Sequence, residues 1–460
     1  MKHELGRRPV ILLALGLISG LVSVEHPVLA LGSIALLWAA QGLVWRLAVV
    51  AALVGGAILS PPTAVRFAGL RPFLGEASVV DVPSVSSSGQ VCEIRSQGLV
   101  FSLLAPREPI LSPGDLVKVS GDAWPFPERL RDVSSLRLIS GTVKASKGGI
   151  VVLRQGPAPY RWAVLWRSRF MEFVRKTTDP HAAAAIDALC FNATADLDDE
   201  TYANLQRSGT VHIISASGLH VFIFALGLSA VLSLFPIPRG WRLFVIFTVL
   251  CLYAVGAGMR PPVVRSVAMA AILGGATLIR REPDLLSALG LTDVGSLLWR
   301  PIAVYDIGFQ LSFVTVGALG MFLSYPNRSP VSPLKGLASG VIEVSKASFV
   351  ATLASAPLTA YYFGYVSVVS IPANILIALS LPAITLTAFA ALPLFGLLPA
   401  LSVGLMVGIV QPLSGWVLWV VQSFGSLSFA AFQVPTFSPW WIAPYYAFCL
   451  LLWRPRARPV

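Results

Sequence analysis

Long uncharged apolar runs recur along this chain, and they constrain its fold more than any other feature. A segment needs about 20 consecutive apolar residues to cross a bilayer, and such runs occupy most of residues 211–453 as well as residues 1–60. Charged residues make up 12% of the chain, about half of their share in a typical soluble domain. The pattern predicts a polytopic α-helical membrane protein with about 12 spans.

The start of the chain combines a basic lead with an apolar run, as a secretory signal peptide does. A second apolar run follows at residues 28–45, and a third at residues 47–60. Three runs at such close spacing favour N-terminal transmembrane spans over residues 1–60 rather than a cleaved leader.

A polar segment rich in turn residues interrupts the apolar runs at residues 61–158. Gly, Pro and Ser separate short alternating stretches, which are "EASVVDV", "QVCEIRS", "LVFSLLA", "DLVKVSG", "LRLISGTVKA" and "GIVVLRQ". About five or six short strands at this spacing predict a small β-barrel or sandwich. We interpret the segment as an inserted all-β domain, an OB-like barrel. Its charges are nearly balanced, so it carries no clear electrostatic footprint of a ligand.

Residues 160–210 connect this β-domain to the apolar part of the chain. In "YRWAVLWRSRFMEFVRK" the aromatic residues share a helical face, and basic residues, Arg167 among them, lie largely off it. This pattern predicts an interfacial amphipathic helix that anchors the chain at the membrane surface. The alternative is an aromatic and basic platform for a nucleic-acid strand.

Basic residues at the ends of apolar runs predict the orientation in the membrane. Lys2, Arg7 and Arg8 place the N-terminus in the cytoplasm, and three spans then place the β-domain outside it. About nine further spans over residues 211–453 return a basic tail, residues 454–460, to the cytoplasm. Since Lys and Arg accumulate at cytoplasmic edges in any such protein, the net charge of +12 is weak support for an acidic ligand.

A few polar groups lie at membrane depth, where they are costly and point to function. They are His212 and His220 at the ends of a stretch with Ser215, Ser217 and Gly218, then Arg260, Arg265, Asp306, Gln310 and Asn374. Asp306 and Gln310 are four residues apart and share a helical face, and Arg265 could neutralise Asp306. The alternative is that these groups only hold helices together.

Neither the histidines nor the cysteines form a metal motif. On a continuous helix His212 and His220 would stand about 12 Å apart, which is too far for one metal ion. The four cysteines have no Cys-x-x-Cys spacing. We therefore predict no metal and no cofactor. A disulfide between Cys92 and Cys190 stays open as an alternative.

Four motifs in order resemble those of the ComEC competence family. They are "GTVHIISASGLHV", "MRPPVVRSVAMA", "DIGFQLSFVTVGALG" and "PLTAYYFGYVSVVSIPANILIALSLP". They extend over roughly residues 180–450, and the N-terminal spans with the β-domain also match the family layout. The motif residues on which the resemblance falls are His212, Ser217, Gly218, His220, Arg260, Arg265, Asp306, Gly308, Gln310, Ser312, Pro372 and Asn374.

The resemblance implies a channel in the bacterial inner membrane that takes in single-stranded DNA during natural transformation, and not an enzyme. The polar motif residues would line a wet path. Gly308 and Pro372 would have structural roles. A glycine at 218 would let backbone N–H groups approach an oxyanion.

The chain departs from many family members in lacking the His-x-His-x-Asp-His cluster of a metallo-β-lactamase-like domain. The nuclease role is therefore absent or supplied by another polypeptide, and a separate nuclease is an expected partner. The chain also has no Gly-x-x-x-x-Gly-Lys-Ser/Thr pattern, so a cytoplasmic ATP-driven motor would have to be another polypeptide. A DNA receptor and membrane lipids are further expected partners, and a homo-oligomer stays open.

Two other classes of function remain as alternatives. One is a transporter or flippase of another anionic substrate, for which an inverted repeat would be typical. The other is an intramembrane hydrolase, with Ser217 as nucleophile, His212 or His220 as base and Asp306 as the group that orients the base.

Overall fold

The computed structural model describes residues 9–23, 48–52, 54, 56, 71–85, 89–125, 139–214, 218–322, 333–435 and 437–452. Helices make up most of this part of the chain. In chain order they are α1 (Pro9–Ser23), α2 (Ala158–Thr177), α3 (Pro180–Phe191), α4 (Asp199–Ser208), α5 (Val211–Ile214), α6 (Gly218–Ser233), α7 (Arg239–Gly256), α8 (Pro261–Leu278), α9 (Leu285–Trp299), α10 (Ile307–Phe322), α11 (Pro333–Phe363), α12 (Ser370–Ala378), α13 (Leu381–Leu397), α14 (Pro399–Leu405), α15 (Gln411–Gly425) and α16 (Ile442–Leu452).

The β-domain is a small barrel. Its strands are β1 (Arg71–Val79), β2 (Ser84–Val85), β3 (Gln90–Ser96), β4 (Leu99–Ala105), β5 (Leu116–Pro125) and β6 (Ile139–Arg154). The sheet order is β1-β5-β6-β4-β3-β2, and β1 also pairs with β3, which closes the sheet. All pairings are antiparallel except that of β4 with β6, which is parallel.

Alternation along the strands produces the barrel core. In β3 the side chains of Gln90, Cys92, Ile94 and Ser96 are buried, and those between them are more exposed, as the period of two in a strand requires. Burying a Val, Leu or Ile side chain contributes about 1.5–3 kcal/mol, so this inner face stabilises the domain. The prediction of strands from the alternating pattern is confirmed here.

The last two predicted strands form one strand, β6, which corrects the sequence prediction. Residues 146–148 separate the two stretches in the sequence, but Gly148, which has φ +72, lies inside β6. The register of β6 against β5 shifts between Val119 and Gly121. An irregularity of this kind bends a strand without ending it, so the first half of β6 also pairs with β4.

The chain divides into two compact units. Unit 1 comprises Met1–Pro62, Ala271–Ile371 and Ala431–Val460, and unit 2 comprises Thr63–Ala270 and Pro372–Ala430. Unit 2 contains the barrel and a helical core in which aromatic rings surround Phe389. Its centroid lies 4.9 Å from that of Phe224 and 5.1 Å from that of Phe170. Such aromatic pairs add about 0.5–1.5 kcal/mol each beyond their buried area.

Helix α2 belongs to this core, and its orientation corrects the sequence analysis. Arg167, which was placed off the apolar face, is 4% exposed, whereas Trp162 is 72% exposed. The buried face of α2 contains Phe170 and Val174 and packs with α3 and α7. Whether α2 also lies at the membrane surface stays a prediction.

In unit 1, α1 packs closely against α9. A Cβ on Gly290 would lie 2.8 Å from the backbone nitrogen of Ile11, so a glycine is needed where the two backbones approach. The Tyr305 hydroxyl donates to the Leu21 carbonyl at 3.3 Å. The short strands β7 (Tyr365–Ser367) and β8 (Ala431–Gln433) pair with each other. The last of the spans predicted over residues 211–453 therefore contains a strand first, and its helix α16 begins only at Ile442.

Three helices in the described part of the chain are long and apolar enough to cross a membrane. They are α7, α8 and the continuous helix Pro399–Gly425, which includes a π-helical turn, Met406–Val410. Helices α12 and α13 meet at 41° and count as a fourth if they form one span. The structure thus supports a helical membrane protein with a small β-barrel, while the count of about 12 spans is not confirmed. The predicted span at 28–45 and the basic tail lie outside the described residues.

Cys92 and Cys190 are both buried free thiols. The disulfide that the sequence left open between them is absent from the structure.

Candidate functional site

The first motif lies at the junction of α5 and α6. Helix α5 ends at Ile214 and α6 begins at Gly218, while Ser215 and Ser217 lie outside the described residues. The His212 side chain is exposed, and that of His220 is fully buried. The two histidines that the sequence treats as equivalent therefore have different surroundings.

Gly218 brings the first motif against the second. A Cβ built on Gly218 would lie 2.6 Å from the Ser266 Oγ, closer than real Cβ contacts allow. Ser266 is on α8, where its hydroxyl donates to the Pro262 carbonyl at 2.8 Å. Any larger residue at 218 would therefore force the Ser266 hydroxyl to move, which gives the glycine a packing role that the sequence did not reveal.

Helix α8 carries two arginines in contrasting positions. Arg260, just before the helix, is exposed, and Arg265 is 1% exposed within it. Arg265 is the largest fully buried side chain among the described residues. A charged side chain inside an apolar helix that is long enough to cross a membrane is costly, which makes Arg265 a candidate functional residue.

Asn192 holds the guanidinium of Arg260. With its amide oxygen facing the arginine, Asn192 accepts hydrogen bonds from Arg260 Nη2 at 3.2 Å and from Arg260 Nε at 3.1 Å. Asn192 ends α3 in the left-handed conformation, with φ 58, which asparagine tolerates better than most residues. The end of α3 therefore points a polar side chain at the turn before α8.

The loop after β1 contributes a carboxyl to the same region. Asp81 is half-buried, and its Oδ1 accepts a hydrogen bond from the Glu93 backbone N–H at 2.6 Å. Burial raises the pKa of Asp81 to about 7, and the Glu93 carboxylate adds to the rise. The hydrogen bond from the Glu93 N–H and the charge of Arg260 oppose it, so Asp81 lies within electrostatic range of Arg260.

Arg167 of α2 is buried between three segments of unit 2. Its Nη1 donates to the Pro83 carbonyl and to the Gly256 carbonyl, each at 3.2 Å. Its guanidinium carbon lies 5.8 Å from the centre of the Phe191 ring. Burial lowers the pKa of Arg167 to about 10, so the side chain still carries its charge at neutral pH.

A second buried carboxyl, Asp187, lies on α3. Its side chain is fully buried, and Arg175 Nη2 lies 3.4 Å from Asp187 Oδ2 while it donates to Asp196 Oδ2 at 2.7 Å. Burial raises the pKa of Asp187 to about 7, against the charges of Arg175 and Arg167. Arg175 thus pairs with two carboxylates, and its contact with the buried Asp187 is the longer one.

The third motif lies in unit 1 and has local structural partners. Asp306 Oδ1 accepts a hydrogen bond from the Phe309 backbone N–H at 2.9 Å, which is an N-cap of α10. Gln310 donates to the Val304 carbonyl at 3.0 Å and accepts from the Tyr362 hydroxyl at 2.8 Å. That Arg265 neutralises Asp306 stays a prediction. Gly308 and Ser312 are half-buried on the same helix.

The fourth motif extends from the end of α11 to the start of α13, and its Pro372 and Asn374 lie on α12. Asn374 is 6% exposed, and its Oδ1 accepts no hydrogen bond from any residue that the structure describes. Pro372 is exposed. A buried amide oxygen without a hydrogen-bond partner costs about 1–3 kcal/mol, so Asn374 stays a candidate site residue.

The sequence analysis missed four polar residues of unit 2, namely Asp81, Arg167, Asp187 and Asn192. Asp187 had a usable signal, since it is the single charge in the apolar stretch "AAAAIDALCF". The other three are brought together only by the tertiary fold. In the described part of the chain no three His, Cys, Asp or Glu residues are placed to hold a metal ion.

A family model described as "Competence protein" matches residues 189–459. The match covers more than half of the chain and includes all four motifs. The chain belongs to the Competence protein family. The expected family is thereby confirmed, and Asn192, Arg260 and Asn374 lie within the matched region, while Asp81 and Arg167 precede it.

Two curated relatives of this Competence family member extend well beyond the shared region. ComE operon protein 3 of Bacillus subtilis (strain 168) is 27% identical over 221 residues, which cover 48% of this chain and 27% of that protein. Uncharacterized protein YcaI of Escherichia coli (strain K12) is 26% identical over 309 residues, which cover 63% of this chain and 39% of that protein. The chain thus spans well under half of either relative. No solved structure matches.

Proposed function

We propose that this chain forms part of an inner-membrane channel that takes in single-stranded DNA during competence. Membership in the Competence protein family supports this function. The observation that carries this proposal is a pair of arginines, Arg260, which is exposed just before α8, and Arg265, which is buried within α8. A strand with one negative charge per nucleotide needs positive and polar groups along a wet path through the hydrocarbon.

The barrel fits a role in receiving DNA outside the cytoplasm. Its closed strands β1, β5, β6, β4 and β3 support the OB-like interpretation, a barrel type that binds oligonucleotides. The proposal places the barrel on the outer side and both termini in the cytoplasm, with about 12 spans in total. It assigns hydrolysis of the other strand and ATP-driven pulling to separate nuclease and motor proteins, with a DNA receptor upstream.

Buried polar groups favour transport over a packing role alone. Asn374 and Arg265 are buried on different helices of unit 2, and such groups mark substrate paths in membrane proteins. The proposal assigns no catalytic step to this chain. Ser217 lies outside the described residues, so the hydrolase alternative stays a prediction.

The arginines of α8 provide the test. We expect Arg260→Gln to reduce uptake of labelled DNA about tenfold, because a charged hydrogen bond contributes about 1.5–3 kcal/mol. Arg265→Gln is expected to reduce it at least as much. The matched control is Arg281→Gln, since Arg281 is exposed just beyond the other end of the same helix. The measurement is uptake in a deletion strain complemented with each variant, normalised to its abundance in the membrane.

The outcomes separate the candidate roles. Unchanged uptake in both α8 variants, or an equal loss in Arg281→Gln, would count against a phosphate path. Loss of Arg265→Gln from the membrane, with normal uptake per molecule, would identify Arg265 as a packing residue.

A further inference from the structure

Arg260 has three neighbours in unit 2, and each belongs to a different segment. The Asn192 amide, after the end of α3, accepts its hydrogen bonds. The Asp81 carboxyl, in the loop after β1, is within its electrostatic range. The third is the turn from Gly256 that leads into α8, which has Gly258 at φ 88 and Met259 at φ 51.

Arg167 contacts all three of these segments. Each contact is one to four residues along the chain from Arg260, Asp81 or Asn192. It donates to the carbonyl of Gly256, at the start of the turn, and to the carbonyl of Pro83, two residues after Asp81. Its guanidinium faces the ring of Phe191, the residue before Asn192. A single buried side chain therefore connects the three segments that provide these groups near Arg260.

We propose that Arg167 is a positioning residue, which holds Arg260, Asn192 and the Asp81 loop together as one phosphate-binding surface where the barrel meets the helices. The proposal rests on the proposed function and adds to it the place where a single strand passes from the barrel to the helices. The ligand is a phosphodiester of single-stranded nucleic acid, because an exposed guanidinium beside an amide matches the oxygens of a phosphate.

The role requires an arginine. The planar guanidinium donates to two carbonyls while its face lies towards the Phe191 ring. Lysine has a compact and strongly hydrated ammonium group that does not reproduce this geometry. Arg167→Lys therefore keeps the charge and loosens the three segments.

The test uses the full chain in detergent and a fluorescein-labelled single-stranded oligodeoxythymidylate. The dissociation constant is measured over a series of salt concentrations, because each phosphate contact contributes about 0.7 to the slope of log K against log salt for single strands. We expect Arg260→Gln and Arg167→Lys each to lower the slope by about 0.7. The double variant is expected to lower it no further, since both changes remove the same contact.

The matched control is Arg169→Lys, because Arg169 is exposed on the same helix. Its slope is expected to equal that of the unmodified chain. The slope does not depend on the fraction of active protein, so a variant with poor yield still gives an answer. Weaker binding with an unchanged slope would be the result of a purely structural role.

Each remaining outcome decides the matter. A lower slope in Arg260→Gln with a normal slope in Arg167→Lys would overturn the positioning role and leave the proposed function standing. A normal slope in both would overturn the phosphate surface as a whole. Arg167→Gln is the second variant, and absence of both Arg167 variants from the membrane would show that Arg167 serves folding only.

Discussion

Two charged side chains of unit 2, Arg167 and Asp81, are stabilised by hydrogen bonds to backbone groups. Arg167 donates to two carbonyls, and Asp81 accepts from a backbone N–H. Charged hydrogen bonds of this kind contribute about 1.5–3 kcal/mol, and they offset part of the cost of burying the charge. Asp81 remains incompletely compensated, since its pKa is raised to about 7.

This raised pKa predicts a pH-dependent stability. The folded pKa of Asp81 lies above the value of about 3.9 for an unfolded aspartate, so the folded state holds more protons between these values. Stability therefore falls as pH rises from about 4 to 7. Asn imitates the protonated carboxyl and keeps the acceptor for the Glu93 N–H. We expect Asp81→Asn to raise the free energy of unfolding relative to the unmodified chain. This gain should be about 1–2 kcal/mol larger at pH 8 than at pH 4.

The check is thermal unfolding of both proteins in detergent at each pH. Asp122→Asn serves as control, because Asp122 is exposed on β5 of the same barrel. A stability gain that is equal at both pH values would refute the assignment of the effect to the Asp81 carboxyl.

Residues of this type define the limit of sequence reading. Periodicity placed Arg167 off the buried face because a helical pattern expects charges outside. Its partners lie 84 and 89 residues away, and no local pattern reveals a contact over such a separation. Arg260, Arg265 and Asn374 could be identified from the sequence, because each interrupts an apolar run.

At the level of elements, the main feature of the first motif is the close approach of α6 to α8. The start of α6 lies against α8, where the Ser266 Oγ fills the space beside Gly218. The glycine and the serine are therefore coupled, which the two separate motifs do not disclose.

We expect Gly218→Ala to lower the abundance and the DNA uptake of the protein, because the added methyl group would overlap the Ser266 hydroxyl. Overpacking of this kind costs about 1–3 kcal/mol. The double variant Gly218→Ala with Ser266→Ala should regain much of the loss, since the hydroxyl is gone, and Ser266→Ala alone is the control. Immunoblots of membrane fractions beside uptake assays measure both effects. A double variant as poor as Gly218→Ala would contradict the coupling.

Strand prediction succeeded where alternation was uninterrupted. It failed where a glycine could mark either a turn between two strands or a bulge within one strand. The strands from Gln90 to Pro125 were found from pattern alone. In β6 the sequence analysis placed a break at residues 146–148, where Gly148 lies, and glycine permits positive φ in turns and in bulges alike. Only the partner strands decide between the two.

For the whole molecule, the sequence predicted a helical membrane protein with an inserted β-domain, and the structure agrees at that level. The barrel order was not derivable, since hydrophobic alternation shows which face is buried and not which strand is the neighbour. The parallel pairing of β4 with β6 is therefore new information from the structure.

The orientation of the barrel gives a prediction at this scale. The test is a reporter inserted at Gly98, in the open turn between β3 and β4. Reporters that require an extracytoplasmic location should be active at this position. Alkaline phosphatase should be active there and a cytoplasmic reporter inactive, because basic residues place the N-terminus inside. The reverse result would overturn the proposed orientation.

The contacts of Arg167 also have a consequence for the time course of biogenesis. Domains generally fold as units, the N-terminal one first, while the chain is still being made. All barrel strands end by Arg154, whereas Gly256 is synthesised 89 residues after Arg167. The barrel has its complete set of strands well before α7 leaves the ribosome. The contacts of Arg167 with Gly256 and Pro83 are accordingly among the last in this region to form, so a nascent chain would have a complete barrel before the turn that joins the barrel to α8 exists.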